Sequence, residues 1–226
     1  MEIEKKYGPA ATIAICKLNA GETLVAEGGA FMAMQGPVDV TTTTRQKGGG
    51  GIIKGLKRIF SGESFFLNHF TAKNISEVWL GTPLPGDIMV HELQGDRLVI
   101  AGGGFVACES NVQIDLQWQG LKSIFSGEGI FWIKASGQGK VIINSFGFIY
   151  PIDVDGEYIV DTGHIVAFEE TLNFEISKAS KSWIDAFLSG EGFICRFKGK
   201  GRVWCQSHNP KSYGQELTPH LKPKQK

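Results

Sequence analysis

Three serines of this chain stand in the same Ser-Gly-Glu triplet, a setting that suits a nucleophile or a glycine-rich phosphate loop. The triplets begin at Ser61, Ser126 and Ser189. A catalytic serine needs a base and an oxyanion hole, which belong to one site rather than to three turns of one chain. The surrounding sequence lacks the base and the residues that would orient it. We therefore interpret the triplet as a structural turn.

The histidines and cysteines show no spacing typical of a metal or redox site. No two histidines follow H-x-H or H-x-x-x-H, and no two cysteines form C-x-x-C. The cysteines lie in strand-like stretches such as "FICRF", where a thiol acts as a small buried hydrophobe. We predict no metal, no cofactor and no catalytic residue, which means a protein that is not an enzyme. The residues concerned are His69, His91, His164, His208 and His220, with Cys16, Cys108, Cys195 and Cys205.

A glycine-rich stretch, "GGGFVA" at 102–107, fits the G-x-G-x-x-A pattern of dinucleotide-binding turns. Such a site needs a helix whose N-terminus faces the pyrophosphate. The following "VQIDLQW" alternates between apolar and polar residues, which predicts a strand instead. The phosphate-loop pattern G-x-x-x-x-G-K-[ST] is also absent. These patterns argue against a nucleotide site.

The triplets are part of a longer internal repeat. A second motif precedes each of them, in which Gly21, Gly95 and Gly156 are each followed by an acid and then by an apolar pair. Two motifs that recur three times in the same order indicate internal triplication. We predict one integrated domain, 1–226, of three homologous repeats at about 10–80, 86–147 and 148–207. The residues that follow, 208–226, are polar and rich in proline and lysine, which predicts a disordered basic tail.

Within a repeat the dominant period is two, which predicts an all-β protein. Aromatic-rich strands such as "GIFWIKA" and "GFICRF" meet the glycine stretches "SGQGK" and "KGKGR". The chain then continues as "VIINS" and "VWCQS", which together predict β-hairpins. We expect β-sandwich-like repeats packed about a pseudo-threefold axis. Short helical turns precede each Ser-Gly-Glu, and Gly62, Gly127 and Gly190 end them because glycine tolerates positive φ.

One stretch is a candidate interaction arm. It follows the low-complexity "TTTTRQKGGGG" and combines basic with apolar residues at helical spacing. A glycine hinge that carries such residues suits a membrane surface or an acidic protein partner. The alternative is a short helix whose apolar side packs in the core while its lysines are solvated. The arm consists of Arg45, Lys47, Ile52, Ile53, Lys54, Lys57 and Arg58.

The charge balance and the termini limit the partners further. Lysine plus arginine and aspartate plus glutamate both total 23, so the net charge is zero and no nucleic-acid partner is expected. The N-terminal "MEIEKKYGPA" has no apolar signal region, and no apolar run approaches the length of a membrane-spanning helix. These features favour a cytoplasmic protein.

The stretch at 32–72, "MAMQGPVDVTTTTRQKGGGGIIKGLKRIFSGESFFLNHFTA", is followed by "GGGFVAC" and a second "GLKSIFSGEGIF". With these motifs the chain resembles the mitochondrial-biogenesis family, named for altered inheritance of mitochondria, over about 10–207. The resemblance implies β-sandwich-like units similar in fold to the tryptophan-RNA-binding attenuation protein. It also implies a link to inner-membrane organisation in eukaryotic members. It carries no catalytic residues, and without a transit peptide we expect a prokaryotic member.

The function predicted from these features is that of a non-enzymatic scaffold or assembly module. We expect a homo-oligomer with an unidentified protein partner and weak peripheral membrane contact. Exposed edge strands, which need covering, favour the oligomer. One alternative is a small-ligand or carbohydrate binder that uses glycine turns and aromatic residues at repeat ends, such as Trp79, Trp118 or Trp132. Another is an enzyme whose histidines or acids are brought together by folding.

Overall fold

The computed structural model describes residues 1–44, 66–118, 131–178 and 193–221, and this part of the chain is nearly all β. The all-β prediction is confirmed. The first strands are β1 (Glu2–Lys6), β2 (Ile13–Leu18), β3 (Thr23–Glu27), β4 (Phe31–Gln35), β5 (Val38–Thr44), β6 (Phe66–Ala72) and β7 (Ser76–Leu80). The others are β8 (Ile88–Ala101), β9 (Phe105–Glu109), β10 (Val112–Trp118), β11 (Phe131–Asn144), β12 (Ile149–Asp161), β13 (Ile165–Glu169), β14 (Asn173–Lys178) and β15 (Phe193–Gln206).

Two long antiparallel ribbons dominate the fold, β8 with β11 and β12 with β15. The predicted hairpins at "SGQGK" and "KGKGR" are wrong, because β11 and β15 run straight through these glycines. Gly137 and Gly199 have positive φ values of 110° and 118°, yet the strand continues on both sides of each. Glycine adopts this conformation without a Cβ clash, so the strand distorts locally instead of reversing. The stretch "VIINS" therefore pairs with the start of β8 and not with "FWIKA".

The first part of the chain forms a similar ribbon that is interrupted in the middle. Strand β2 pairs with β7, and β3 pairs with β6, so four short strands take the place of two long ones. Gly21 lies in the break between β2 and β3 and has a φ of 84°. The return strand of each ribbon carries two further strands: β4 and β5 on the first, β9 and β10 on the second, β13 and β14 on the third. The first ribbon also carries β1, which pairs with β2.

Backbone pairing also joins the three ribbons. Strand β3 of the first pairs with β9 of the second, and β8 of the second pairs with β13 of the third. These junctions produce one large sheet in the order β12-β15-β13-β8-β11-β9-β3-β6-β5, with β10 beside β11 and β14 beside β15. A separate four-stranded sheet has the order β1-β2-β7-β4.

The core consists of three apolar clusters that cross these junctions. One joins the four-stranded sheet to β3, β6 and β9, so the first part is a β-sandwich. A central cluster contains Val25 of the first part, Ile100 of the second and Val166 of the third. The third cluster surrounds Phe168, whose ring packs edge-on against Trp132 and Phe197 at centroid distances of 5.3 and 5.0 Å. Burial of large aromatic side chains contributes most to such a core.

The C-terminal segment differs from the predicted disordered tail over residues 210–220. An α-helix, α1, spans Pro210–Leu217, and a single 3-10 turn follows it. Asn209 caps the helix, since its side chain accepts hydrogen bonds from the backbone of Lys211 and Ser212. The ring of Tyr213 lies 5.1 Å from that of Phe146, which anchors the helix on the body.

All four cysteines lie in the described residues and are buried. Burial raises the pKa of Cys16, Cys195 and Cys205 to about 12. A thiol with such a pKa remains protonated at neutral pH, and the thiolate is the reactive form. These residues are therefore packing groups.

We predict that a disulfide reagent added at pH 8 labels none of the four thiols of the folded protein quickly. Because the pKa values of three lie near 12, raising the pH to 10 should leave the reaction slow. A free thiol of ordinary pKa would react faster over the same interval. Absorbance of the released thiolate measures the rate, and the protein unfolded in urea, with all four thiols reactive, is the control. Rapid labelling of a folded cysteine would contradict this burial.

Candidate functional site

The β4 edge, Phe31–Gln35, is the most unusual surface among the described strands. Strand β4 pairs with β7 on one side and is the last strand of its sheet on the other. All five of its residues are exposed, including Phe31 at 42%, Met32 at 53% and Met34 at 47%. The edge therefore combines a row of open backbone groups with exposed apolar side chains. Such an edge is a template for pairing with another strand.

Strands β9 and β13, which hold the same place in the other two ribbons, explain the exposure of β4. Each of these three strands lies along the late part of its own ribbon, but β9 and β13 have a second partner on the other side. Their residues are accordingly buried, as Phe105 and Phe168 illustrate at 1% and 0% exposure. Among the described strands, β4 is the one of the three without a second partner, and its exposure follows from that difference rather than from its own sequence.

The inner side of β4 is held firmly. Phe31 stacks on Phe70 with the ring centroids 5.5 Å apart. At the end of the strand, Gly36 has a φ of 92°, and a Cβ there would lie 2.6 Å from the Ser76 hydroxyl. Glycine is therefore required for the tight turn between β4 and β5. The edge is thus presented by a packed scaffold.

No charge protects the β4 edge, which reads "FMAMQ". Natural sheets protect their outer strands with charged residues or proline. The opposite end strand of the same sheet, β1, follows this rule with "EIEKK". The lack of such protection distinguishes β4 as an edge that suits a partner strand.

A second candidate is a groove of about 370 Å³ where β1 ends and β8 and β12 begin. Phe148, which is 53% exposed, and the more buried Trp204 supply its aromatic surface. Its polar groups are already engaged: the Lys5 ammonium donates to the carbonyl of Ile88 at 2.8 Å. The Asp87 carboxylate accepts hydrogen bonds from the Thr12 hydroxyl and from the backbone N–H of Ile88. The other lining side chains are apolar, and the exposed ring of Phe148 could stack against a flat apolar or sugar ring.

Two of the tryptophans expected to line a ligand site, Trp79 and Trp132, do not line this groove. Trp132 is buried in the third core cluster at 1% exposure. Trp79 lies on β7, where its indole N–H donates to Glu77 at 3.3 Å. The side chain of Trp118 lies outside the described residues. Trp204 lines the groove instead, and its sequence context, "VWCQS", gave no sign that the start of β12 would lie beside it.

Three of the five histidines, which the enzyme alternative would bring together, have separate structural partners. His69 hydrogen-bonds the Thr43 hydroxyl at 2.8 Å, and His164 contacts the carbonyl of Gln206 at 2.8 Å. His91 packs edge-on against Trp204 with ring centroids 5.2 Å apart. Among the residues that the structure describes, no three His, Cys, Asp or Glu side chains are grouped so as to hold a metal ion.

One charged group has a strongly paired environment. Hydrogen bonds from Lys134 and then Arg97 lower the pKa of the Glu170 carboxyl. Lys134 and Arg97 belong to the second ribbon, and Glu170 directly follows β13, which is attached to the third. The two ion pairs of Glu170 therefore link these ribbons at the surface. They are structural contacts and not an acid–base pair.

The residues predicted as site or turn residues lie outside the described ranges. This holds for Gly62, Gly127 and Gly190 with the helical turns before them. It also holds for the whole candidate arm of Arg45, Lys47, Ile52, Ile53, Lys54, Lys57 and Arg58. Sequence reasoning missed the β4 edge as a particular site. The only available signal was a strand of five uncharged residues between two glycine turns.

No helix in the described ranges is both long and apolar enough to span a membrane.

Comparison with known proteins places the chain in a family. A family model described as "Mitochondrial biogenesis AIM24" matches residues 3–208. An uncharacterized protein of Streptococcus pyogenes serotype M6 is 28% identical over 207 residues, covering 86% of this chain and 83% of that protein. A Streptococcus pyogenes protein of known crystal structure shares the fold, with a TM-score of 0.79, 24% identity and coverage of 97% and 99%. The resemblance found in the sequence is confirmed: the chain belongs to the mitochondrial biogenesis AIM24 family.

Proposed function

We propose that this protein is a non-enzymatic assembly module that forms homo-oligomers through the β4 edge. The observation that carries the proposal is the exposure of Phe31, Met32 and Met34 on an uncharged end strand. Exposed apolar surface of this kind marks interaction sites in soluble proteins. Because the edge is held by packing on its inner side, little ordering entropy would oppose the addition of a strand.

The proposal includes three homologous repeats about a pseudo-threefold axis. Its support is the recurrence of one pairing scheme, in which the second strand of each ribbon carries one attached strand on its late half and another on its early half. Three units about a closed axis would all have two neighbours, but among the described strands β4 of the first unit and β12 of the third both end their sheets, so these two units retain open surfaces. A terminal surface of this kind suits an assembly role in the cytoplasm, without a nucleic-acid partner.

We predict that Met34→Asp dissociates the oligomer. A carboxylate at the centre of the covered edge would lose its hydration, at a cost of about 3 kcal/mol, which is about two orders of magnitude in affinity. Light scattering after size exclusion, across micromolar concentrations, measures the mass.

The matched control is Val40→Asp, since Val40 is also 47% exposed and lies on the end strand β5. We expect this variant to retain the mass of the wild type. A wild-type chain that is monomeric at every concentration would contradict the proposed function. Equal dissociation of both variants would place the interface elsewhere.

A second candidate function, binding of a small ligand or carbohydrate, rests on the groove beside Phe148 and Trp204. Glucose or N-acetylglucosamine stacked there should change the tryptophan emission in a saturable way. We predict that Phe148→Ala abolishes the change. Tyr150→Ala, the removal of a neighbouring aromatic residue that does not line the groove, should preserve it. No response of the wild-type protein to either sugar would count against this function.

Weak peripheral membrane contact remains a proposal from the sequence of the candidate arm. Anionic headgroups attract each cation by about 1 kcal/mol near the surface, and salt screens the attraction. We predict that the wild type floats with anionic vesicles at low salt but not at high salt. The variant Lys54→Glu/Lys57→Glu/Arg58→Glu should not float at either. Absence of wild-type flotation at low salt would leave the core-packed helix as the better account of the arm.

A further inference from the structure

The late part of β12 is a second open edge. Strand β12 pairs with β15 and ends the order of the large sheet. Its early part is protected in the usual way, by Pro151 and by the acids Asp153 and Asp155. Its late part, Tyr158–Val160, is uncharged, and Tyr158 is 45% exposed. One end of the chain thus presents the β4 edge, and the other presents the edge of Tyr158–Val160.

The chain itself shows what covers each kind of edge. Strand β3 is covered by β9, with Leu24 opposite Glu109 and Ala26 opposite Ala107. Strand β8 is covered by β13 in the same manner, with Ile100 opposite Ala167. In both junctions the late part of the first strand of one ribbon (β3 or β8) pairs with the strand attached to the late part of the next ribbon (β9 or β13). The third ribbon's first strand, β12, and the first ribbon's attached strand, β4, are the two strands of these kinds that are not paired in this way.

Residues of β12 can be matched to residues of β8 through their partner strands, β15 and β11. Ile100 lies opposite Ile133, the third residue of β11, and Val160 lies opposite Cys195, the third residue of β15. Val160 therefore corresponds to Ile100. Tyr158 accordingly corresponds to Leu98, which is fully buried beneath β13.

Strands β4, β9 and β13, each attached to the late part of its ribbon, can be aligned in the same way. Ala107 lies opposite Ile142 of β11, and Ala167 lies opposite Trp204 of β15. Ala33 lies opposite Trp79 of β7, which makes it the matching residue of β4. A small residue thus stands at the same point of all three strands. This alanine is the residue that meets the neighbouring ribbon at both junctions.

We infer that β12 of one copy of this chain pairs antiparallel with β4 of a second copy. The register is Val160 with Ala33, Ile159 with Met34 and Tyr158 with Gln35. The interface repeats the pairing seen at the two internal junctions. The inference rests on the proposed assembly function. It covers Met34 and Tyr158, whose equivalents at those junctions are buried.

The pairing is between copies because β4 and β12 of one chain are both end strands and β4 is exposed along its length. Two different patches of the same molecule meet, so the contact is heterologous. Such contacts produce a closed ring if the rotation closes and a filament if it does not. The pairing adds backbone hydrogen bonds and apolar contact without any charge pair.

The test uses two single variants, Met34→Cys and Ile159→Cys, mixed in equal amounts and treated with a short bis-maleimide. Residues directly opposite in an antiparallel pair have Cβ atoms about 5 Å apart, within reach of the reagent. The four native cysteines are buried and should not react in the folded protein. We expect a band at twice the chain mass from the mixture and none from either variant alone. Val40→Cys mixed with Ile159→Cys is the matched control and should give no such band.

The double variant Met34→Cys/Ile159→Cys distinguishes the remaining outcomes. Head-to-tail pairing yields a ladder of cross-linked chains on a denaturing gel. Reaction within single chains, seen as one monomeric band without free introduced thiols, would overturn the inference by showing that the edges meet in one molecule. Absence of cross-linking from a wild-type-like oligomer would overturn it while the assembly function stands. A monomeric wild type would remove both.

Discussion

Backbone hydrogen bonding between neighbouring ribbons is the interaction on which the rest of this structure depends. Every buried N–H and C=O must find a partner, and in an all-β chain the partner is another strand. The junctions of β3 with β9 and of β8 with β13 meet this requirement for two strands. They also bring residues of all three ribbons into the central apolar cluster around Ile100. Without these junctions the ribbons would each expose one apolar face.

The same constraint explains why the two ends of the chain differ from its middle. A unit between two others is covered on both sides, whereas the first and last units each lack one neighbour. Phe105 and Met34 illustrate the result, since both lie on the strand attached to a ribbon, yet the first is buried and the second is 47% exposed. An open edge without charge carries a risk of uncontrolled aggregation unless a defined partner covers it. In the assembly that we propose, one contact would both join the copies and cover the open edge.

The chemistry of the interior is consistent with a structural role. Three of the buried cysteines have raised pKa values, and His69, His91 and His164 each contact a different structural partner. The ion pair of Glu170 with Lys134 and Arg97 ties two ribbons together. These polar contacts therefore position strands.

The sequence by itself determined the all-β class and the family, because residue alternation and the repeated motifs are local properties of the chain. It did not determine the path of the strands: the glycines in "SGQGK" and "KGKGR" suggest turns, whereas pairing with a long partner keeps β11 and β15 continuous. It also could not single out β4, since "FMAMQ" is as apolar as the buried "FVACE" of β9. Only the tertiary structure decides which of two similar strands has a neighbour, because that neighbour lies far away in the sequence.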